Sequence, residues 1–512
     1  MSLKQTLVDR SKKILLKPAV MRWVSDDRVM KAAEGVMDAR ARVRAAWQVL
    51  RDGHELPNID PALDEYPGET TATPAATAEP RRKNGSASSA EHARGSEDMS
   101  ESLKERFTLS AIGSEDVFEK CYKFSAADNA RKMGIYPFFR PLDFNDGPEA
   151  VIDGKRVVMF GSNNYLGLTT HPKVREAAKN AIDRFGTSMT GSRLVNGSMK
   201  LHEEFEEKFA AFMGKESALV FTTGYQVNLT VCSALLSNKS CVAVIDRNVH
   251  ASLYDGVRLG QAAGARMVRY RHNDPEALDR ALDKLGAGEG ALVITDGVFS
   301  AEGEIAKLDQ LVQVVKRHGA RLFVDDAHAF GVIGPEGRGT AHHFGVSDQV
   351  DLTGGTFSKS LASIGGWLVG ERKVLDYVRH FAPSFMFAAA AAPPNVAAAM
   401  AALDVMQEEP WRITKLHENF TYMRDGLRKL GFELGHTETS VIPIYVRQDL
   451  RTIMMWRDLL EEYGIYTNPF ITPGVPPKNQ MLRTSYIATH TREHLDRGLA
   501  AFEAVGKKYG VI

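Results

Sequence analysis

Gly355-Thr356-Phe357-Ser358-Lys359-Ser360, downstream of Phe323-Val324-Asp325-Asp326-Ala327-His328, decides the reading of this chain. The apolar run Leu322 to Val324 reads as a buried strand, and it delivers an aspartate and a histidine at its C-terminal end. Further on, a lysine sits among small hydroxyl and glycine residues. Taken singly, these are a strand-end turn and a surface lysine. Together they supply what pyridoxal-phosphate chemistry needs: a lysine for the Schiff base and a carboxylate that keeps the pyridinium nitrogen protonated.

The neighbouring strands repeat the pattern. Apolar runs Ala218 to Phe221, Val242 to Ile245 and Ala291 to Thr295 alternate with helical patterns such as His202 to Phe212 and Leu308 to His318. That alternation predicts a parallel sheet covered by helices, in which ligands bind beyond the carboxyl ends of the strands. Candidate groups fall at those ends. After the first run come Thr223, Gly224 and Tyr225, where a glycine and a helix N-terminus suit a phosphate, although most such turns are simple connections. After the second comes His250, which could lie flat on a cofactor ring or serve as a hydrogen-bonded structural histidine. After the third comes Ser300, a possible donor to ring substituents or a plain turn serine. Asp325 would face the ring nitrogen, His328 the phenolic oxygen, and Thr356 and Ser358 the phosphate, while Asp326 is expected to serve the backbone turn.

At 512 residues the chain exceeds one ordinary core. Lys+Arg and Asp+Glu are equal at 64 each, so the balance offers no argument for nucleic acid. Three cysteines, Cys121, Cys232 and Cys241, have neither metal-ligand spacing nor the makings of a disulfide framework, which reads as a reducing, cytoplasmic setting. No apolar run reaches the ~18 residues of a membrane span, and no secretory signal is recognisable. Residues 1–65 read as a basic helical extension and 66–100 as a disordered linker, rich in Thr, Ala, Pro, Gly and Ser and too poor in large apolar residues to order itself. Residues 101–155 read as an N-terminal arm, 156–395 as the large cofactor-binding domain and 396–512 as a small C-terminal α/β domain.

The region from about Glu115 to Ile512 resembles the α-oxoamine synthase family of fold-type I pyridoxal-phosphate enzymes. The resemblance rests on ordered motifs: Ser162-Asn163-Asn164-Tyr165-Leu166-Gly167, Thr190-Gly191-Ser192-Arg193-Leu194, Thr223-Gly224-Tyr225, His250-Ala251-Ser252, Asp325-Asp326-Ala327-His328, Thr356-Phe357-Ser358-Lys359 and Leu482-Arg483-Thr484-Ser485. It implies an aminotransferase-like fold with a large, mainly parallel sheet domain and a smaller C-terminal domain. It also implies that Lys359 holds the cofactor and moves protons at the substrate's α-carbon, that His250 stacks on the ring, and that Asp325 and His328 pair with the ring nitrogen and phenolic oxygen. Arg483, with Asn163 nearby, would bind the substrate carboxylate. The implied reaction is decarboxylative condensation of an amino acid with an acyl thioester.

Within the family, Gly-Thr-Phe-Ser-Lys-Ser followed by Gly365-Gly366, and the run from Asn468 to Pro477, look closer to the serine palmitoyltransferases. L-serine and a long-chain acyl thioester, on CoA or an acyl carrier protein, are therefore the expected substrates. Alternatives are alanine or glycine with another acyl-CoA, or a non-catalytic regulatory paralogue, against which the presence of Lys359, Asp325 and His250 argues. Two departures stand out. A second arginine carried by some bacterial members would fall near Ile471, and a hydroxyl expected before Pro393-Pro394 is replaced by Ala388 to Ala392. A homodimer is expected. The N-terminal helices could touch the inner face of an anionic membrane, dock a carrier protein or simply pack against the enzyme.

Overall fold

The computed structural model describes residues 116–512. The helical extension and linker expected over 1–65 and 66–100, and the first part of the arm, lie outside the described residues. The chain divides into two compact units.

The larger unit takes in 139–445, 456–470 and 481–512. In chain order its strands are β1 (Phe144–Asn145), β2 (Glu149–Ile152), β3 (Lys155–Met159), β4 (Ser217–Phe221), β5 (Cys241–Asp246), β6 (Arg266–Tyr270), β7 (Gly290–Asp296), β8 (Arg321–Asp325), β9 (Leu352–Thr356), β10 (Gly366–Gly370), β11 (Val441–Tyr445), β12 (Ile465–Tyr466), β13 (Asn468–Phe470) and β14 (Met481–Ser485). Seven of them form the central sheet in the order β4-β10-β9-β8-β7-β5-β6. Small sheets β1-β2-β3-β12 and β11-β14-β13 complete the unit.

The central strands read as continuous apolar runs because both faces are covered. Val242, Val244, Ile245, Val293, Ile294, Phe323 and Val324 are all fully buried. Burying each such side chain contributes roughly 1.5–3 kcal/mol before entropy is counted. Pairing is parallel from β9 through β8, β7 and β5 to β6, as the alternation implied. The exception is β10, antiparallel to both β9 and β4. A parallel return needs a crossover of about a dozen residues or more, and the segment Phe357–Gly365 between β9 and β10 is too short for one. Since β10 opposes both neighbours, β4 runs the same way as β9. The C-terminal ends of β4, β5, β7, β8 and β9 therefore share one edge of the sheet, and Asp296 lies in register with Asp325 there.

The second unit comprises, among the described residues, 116–138, 446–455 and 471–480. It holds the short helices Glu119–Lys123 and Ala126–Lys132. In its other segments Thr472 N–H donates to Asp449 Oδ1 at 3.0 Å, and the N–H groups of Val446 and Arg447 donate to the Gln480 carbonyl at 2.9 Å. Among the described residues no helix is long and apolar enough to cross a membrane.

Candidate active site

At the shared strand edge lies a cavity of about 400 Å³ lined by Thr223, Gly224, Tyr225, His250, Asp325, His328, Thr356, Ser358 and Lys359. Nine of the residues singled out from sequence thus converge on one space, from the ends of four strands, β4, β5, β8 and β9. Asn163, Ser300 and Arg483 lie outside that lining and meet one another beside it.

The β4 end enters the helix Gly224–Leu235, where Thr223 caps the N-terminus by accepting Gln226 N–H at 3.1 Å. A Cβ on Gly224 would come 2.7 Å from Thr356 Cβ, so only glycine lets the helix start approach β9 this closely. Opposite it, Thr356 donates to the Gly365 carbonyl at 2.9 Å, and Ser358 Oγ lies 2.8 Å from Thr356 Oγ1. Backbone N–H groups and hydroxyls here form an anion-receptive floor.

A hydrogen-bonded chain fixes the groups around Asp325. Asn228, one helical turn after Gly224, donates from Nδ2 to Asp325 Oδ2 at 2.6 Å and to Ser252 Oγ at 2.8 Å. Ser252 Oγ, having accepted from Asn228, turns its own proton to His250 Nδ1 at 2.7 Å. His250 Nδ1 is therefore an acceptor, and its ring proton sits on Nε2. Ala327 N–H occupies Asp325 Oδ1 at 2.9 Å. Burial lowers the pKa of His250, opposed by the Asp325 charge. Asp296, whose carboxylate accepts His250 N–H, is pushed well above the carboxylate range, first by burial and then by Asp325. Asp326 serves the backbone as expected, with Oδ2 accepting Thr340 N–H at 2.9 Å.

Lys359 sits in the loop between β9 and β10. Burial pushes its ammonium down to about 8, with Asp325 pulling the other way. His328 is held neutral chiefly by burial, then by the positive charges of Lys359 and Arg483. Its Nδ1 lies 2.6 Å from the hydroxyl of the fully buried Tyr165.

Arg483, on β14, is 3 % exposed. Its Nε donates to the Ser300 carbonyl at 2.8 Å, and Nη1 donates to Asn163 Oδ1 at 2.9 Å and Ser485 Oγ at 2.8 Å. Every one of these acceptors is neutral. Ser300 thus contributes its backbone carbonyl to the arginine. Sequence reasoning left Asn228, Ser252, Asp296, Tyr165 and Ser485 unassigned. The i, i+4 relation of Gly224 and Asn228 was the one signal available for the first of them.

The aminotransferase class I and II family profile matches residues 155–502. The chain belongs to that family. The enzyme is 40% identical over 390 residues to a serine palmitoyltransferase of Sphingobacterium spiritivorum, covering 76% of this chain and 96% of the relative. It is 38% identical over 386 residues to an 8-amino-7-oxononanoate synthase of Thermoanaerobacter pseudethanolicus, covering 75% and 96%. Among solved structures, Sphingomonas wittichii serine palmitoyltransferase superposes with a TM-score of 0.73 at 35% identity, covering 78% of this chain and all of that one. A serine palmitoyltransferase variant from S. paucimobilis, solved with PLP and myriocin bound, gives 0.73 at 34% identity, covering 77% and 98%.

The enzyme is a fold-type I pyridoxal-phosphate transferase, and the donor set of the cavity fits that cofactor. It presents an amine with a lowered pKa, a carboxylate held by an asparagine, a histidine locked by a serine, and a floor of hydroxyls that Gly224 lets pack close against a helix start.

Proposed function

We propose that the enzyme condenses L-serine with a long-chain acyl thioester, releasing carbon dioxide and free thiol and forming a 3-keto sphingoid base. The observation that carries the reading is Arg483, a buried guanidinium whose hydrogen bonds all go to neutral oxygens. A buried cation without a counter-charge is costly, and a substrate carboxylate beside the cofactor cavity would supply that charge. The serine palmitoyltransferase relatives support serine as the amino acid.

The bound cofactor supplies an electron sink for negative charge at the amino acid's α-carbon. Thr223, Gly224, Tyr225, Thr356 and Ser358 would hold its phosphate end, His250 its ring face, Asp325 its ring nitrogen and His328 its phenolic oxygen. Arg483 and Asn163 orient the substrate carboxylate. Lys359, with a pKa of about 8, takes the α-proton when neutral and returns a proton when charged. The same arginine holds the carboxylate that later leaves as carbon dioxide.

The 8-amino-7-oxononanoate synthase relative favours a second reading, alanine with a carboxylated acyl thioester. Exposed apolar groups, Ile364 at 58% and Phe387 at 73%, support a homodimer. For residues 1–65 contact with the inner membrane face, docking of an acyl carrier protein and packing against the enzyme stay open, and flotation of the full chain with anionic vesicles tests the first. The main test presents the reconstituted enzyme with L-serine, L-alanine and glycine, each followed by palmitoyl-CoA. Thiol release with serine alone supports the proposal, release with alanine and a dicarboxylic acyl-CoA selects the second reading, and no visible cofactor band overturns both.

A further inference from the structure

Two neighbouring groups in this site share one side chain that neither role explains. The Tyr165 hydroxyl lies 2.6 Å from His328 Nδ1 and 3.3 Å from Asn163 Oδ1. Arg483, itself a neighbour of the Tyr165 hydroxyl, donates to the same Oδ1 at 2.9 Å. A phenol has a single proton and can satisfy only one of these acceptors at a time. While Arg483 occupies Asn163 Oδ1, the shorter contact to His328 takes the Tyr165 proton. His328 Nδ1 is then an acceptor, so the ring proton of the neutral imidazole sits on Nε2.

We propose that Tyr165 is a positioning residue that pins the tautomer of His328 and, through Asn163, ties it to the occupancy of Arg483. The proposal rests on the reading of Arg483 as the carboxylate site. When a carboxylate draws the Arg483 donor away, Asn163 Oδ1 is left with a free lone pair. The Tyr165 proton turns toward it, and His328 loses the partner that fixed its tautomer. His328, 7% exposed and lining the cavity, then donates less strongly toward the cofactor's phenolic oxygen. A donor at that oxygen stabilises its anionic form, so weakening it raises the pKa of the cofactor's visible band. Binding at the carboxylate end is thereby signalled to the cofactor without a direct contact.

The charged and titratable groups that face His328 are Lys359, Arg483 and His250, all of which disfavour its protonation, together with the Tyr165 hydroxyl. Asp325, three residues earlier on the same turn, acts in the other direction on Lys359 and His250. Tyr165→Phe leaves Lys359, Arg483, His250 and Asp325 in place, keeps the buried ring and removes only the hydroxyl.

The test is a pH titration of the holoenzyme's visible band, with and without 3-hydroxypropionate. That probe carries serine's carboxylate and hydroxyl but has no amine to react with the cofactor. In the wild-type enzyme the probe should raise the band's pKa. In Tyr165→Phe the pKa without the probe should rise by about one unit, and the probe should still bind by calorimetry yet no longer move the band. Asn163→Ala, which leaves the tyrosine–histidine pair intact, should titrate like wild type without the probe and lose the response to it at a probe concentration that calorimetry shows to saturate the variant. That second variant also carries the test if Tyr165→Phe does not fold. A Tyr165→Phe band that titrates and responds like wild type overturns the proposal, as does an Asn163→Ala enzyme that keeps the response. Failure of 3-hydroxypropionate to bind the wild-type enzyme would instead overturn the carboxylate reading of Arg483, leaving the pinning of His328 to be judged by the shift without the probe.

Discussion

The two halves of the site are built on opposite electrostatic plans. Around Asp325 the carboxylate is met by an asparagine and a backbone N–H, the lysine is pulled toward neutrality, and the histidine is locked by a serine. Around Arg483 a full positive charge is buried against a carbonyl, an amide oxygen and a hydroxyl. The first half is internally satisfied and suits a resident cofactor. The second carries a charge that forms no ion pair among the described residues, and suits a transient substrate. The contrast teaches where to look for each ligand: the resident group where polar partners are already saturated, the visiting one where they are not.

Removing Lys359 attacks the satisfied half at its reactive atom. Lys359→Ala should cut turnover by about a thousandfold or more, since it deletes both the covalent anchor and the base. Thiol release in single- and multiple-turnover assays checks this. Arg483→Ala attacks the unsatisfied half. It should lower kcat/KM for the amino acid by roughly a hundredfold, the loss expected of a buried charge-assisted fork. Arg483→Lys should recover only part of it because the planar geometry is lost. An alanine variant with unchanged kcat/KM would erase the contrast between the halves.

A smaller effect sharpens the comparison in the cofactor-free protein. Lys359 has a folded pKa of about 8 against an ordinary 10.5. Between those values the unfolded chain binds more protons, so this group's contribution makes stability rise as pH climbs from about 8 toward 10.5. Below about 8 the buried ammonium is a constant penalty. Lys359→Met should therefore raise the melting temperature of the apoprotein at pH 7, with the advantage shrinking by pH 10. Thermal unfolding at the two pH values checks the sign. Smallest of all, Asn228→Ala should cost about 1–3 kcal/mol of stability and weaken cofactor retention, because it strands Asp325 Oδ2 and Ser252 Oγ together. Retention is read from the visible band on dilution.

Most of the satisfied half was legible without coordinates, because β4, β5, β7 and β8 each announce themselves as an apolar run and deliver their polar residues immediately afterwards, whereas β9, Leu-Thr-Gly-Gly-Thr, has no apolar run and its lysine was read from the motif. A shared direction then forces those residues to one edge. The direction of β10 was not anticipated by the alternation rule, though the shortness of Phe357–Gly365 contains the reason. Asn163 and Arg483 were found through motif resemblance alone. Nothing local marks their partnership across the sequence, nor the place of Tyr165 between them and His328.

By itself, then, the sequence determined the strand-and-helix alternation, the strand-end positions of His250 and Asp325, the place of Lys359 among small hydroxyl and glycine residues, and the glycine at the start of the helix Gly224–Leu235. These depend on hydrophobic period and local backbone chemistry, which act over a few residues. Only the tertiary structure decided that Arg483 has neutral partners, that Asn228 bridges Asp325 to the serine behind His250, and that one tyrosine proton stands between the two halves of the site. Hydrogen bonds are made within about 3 Å in space whatever the separation along the chain, so their partners are fixed by packing and have no signature in sequence spacing.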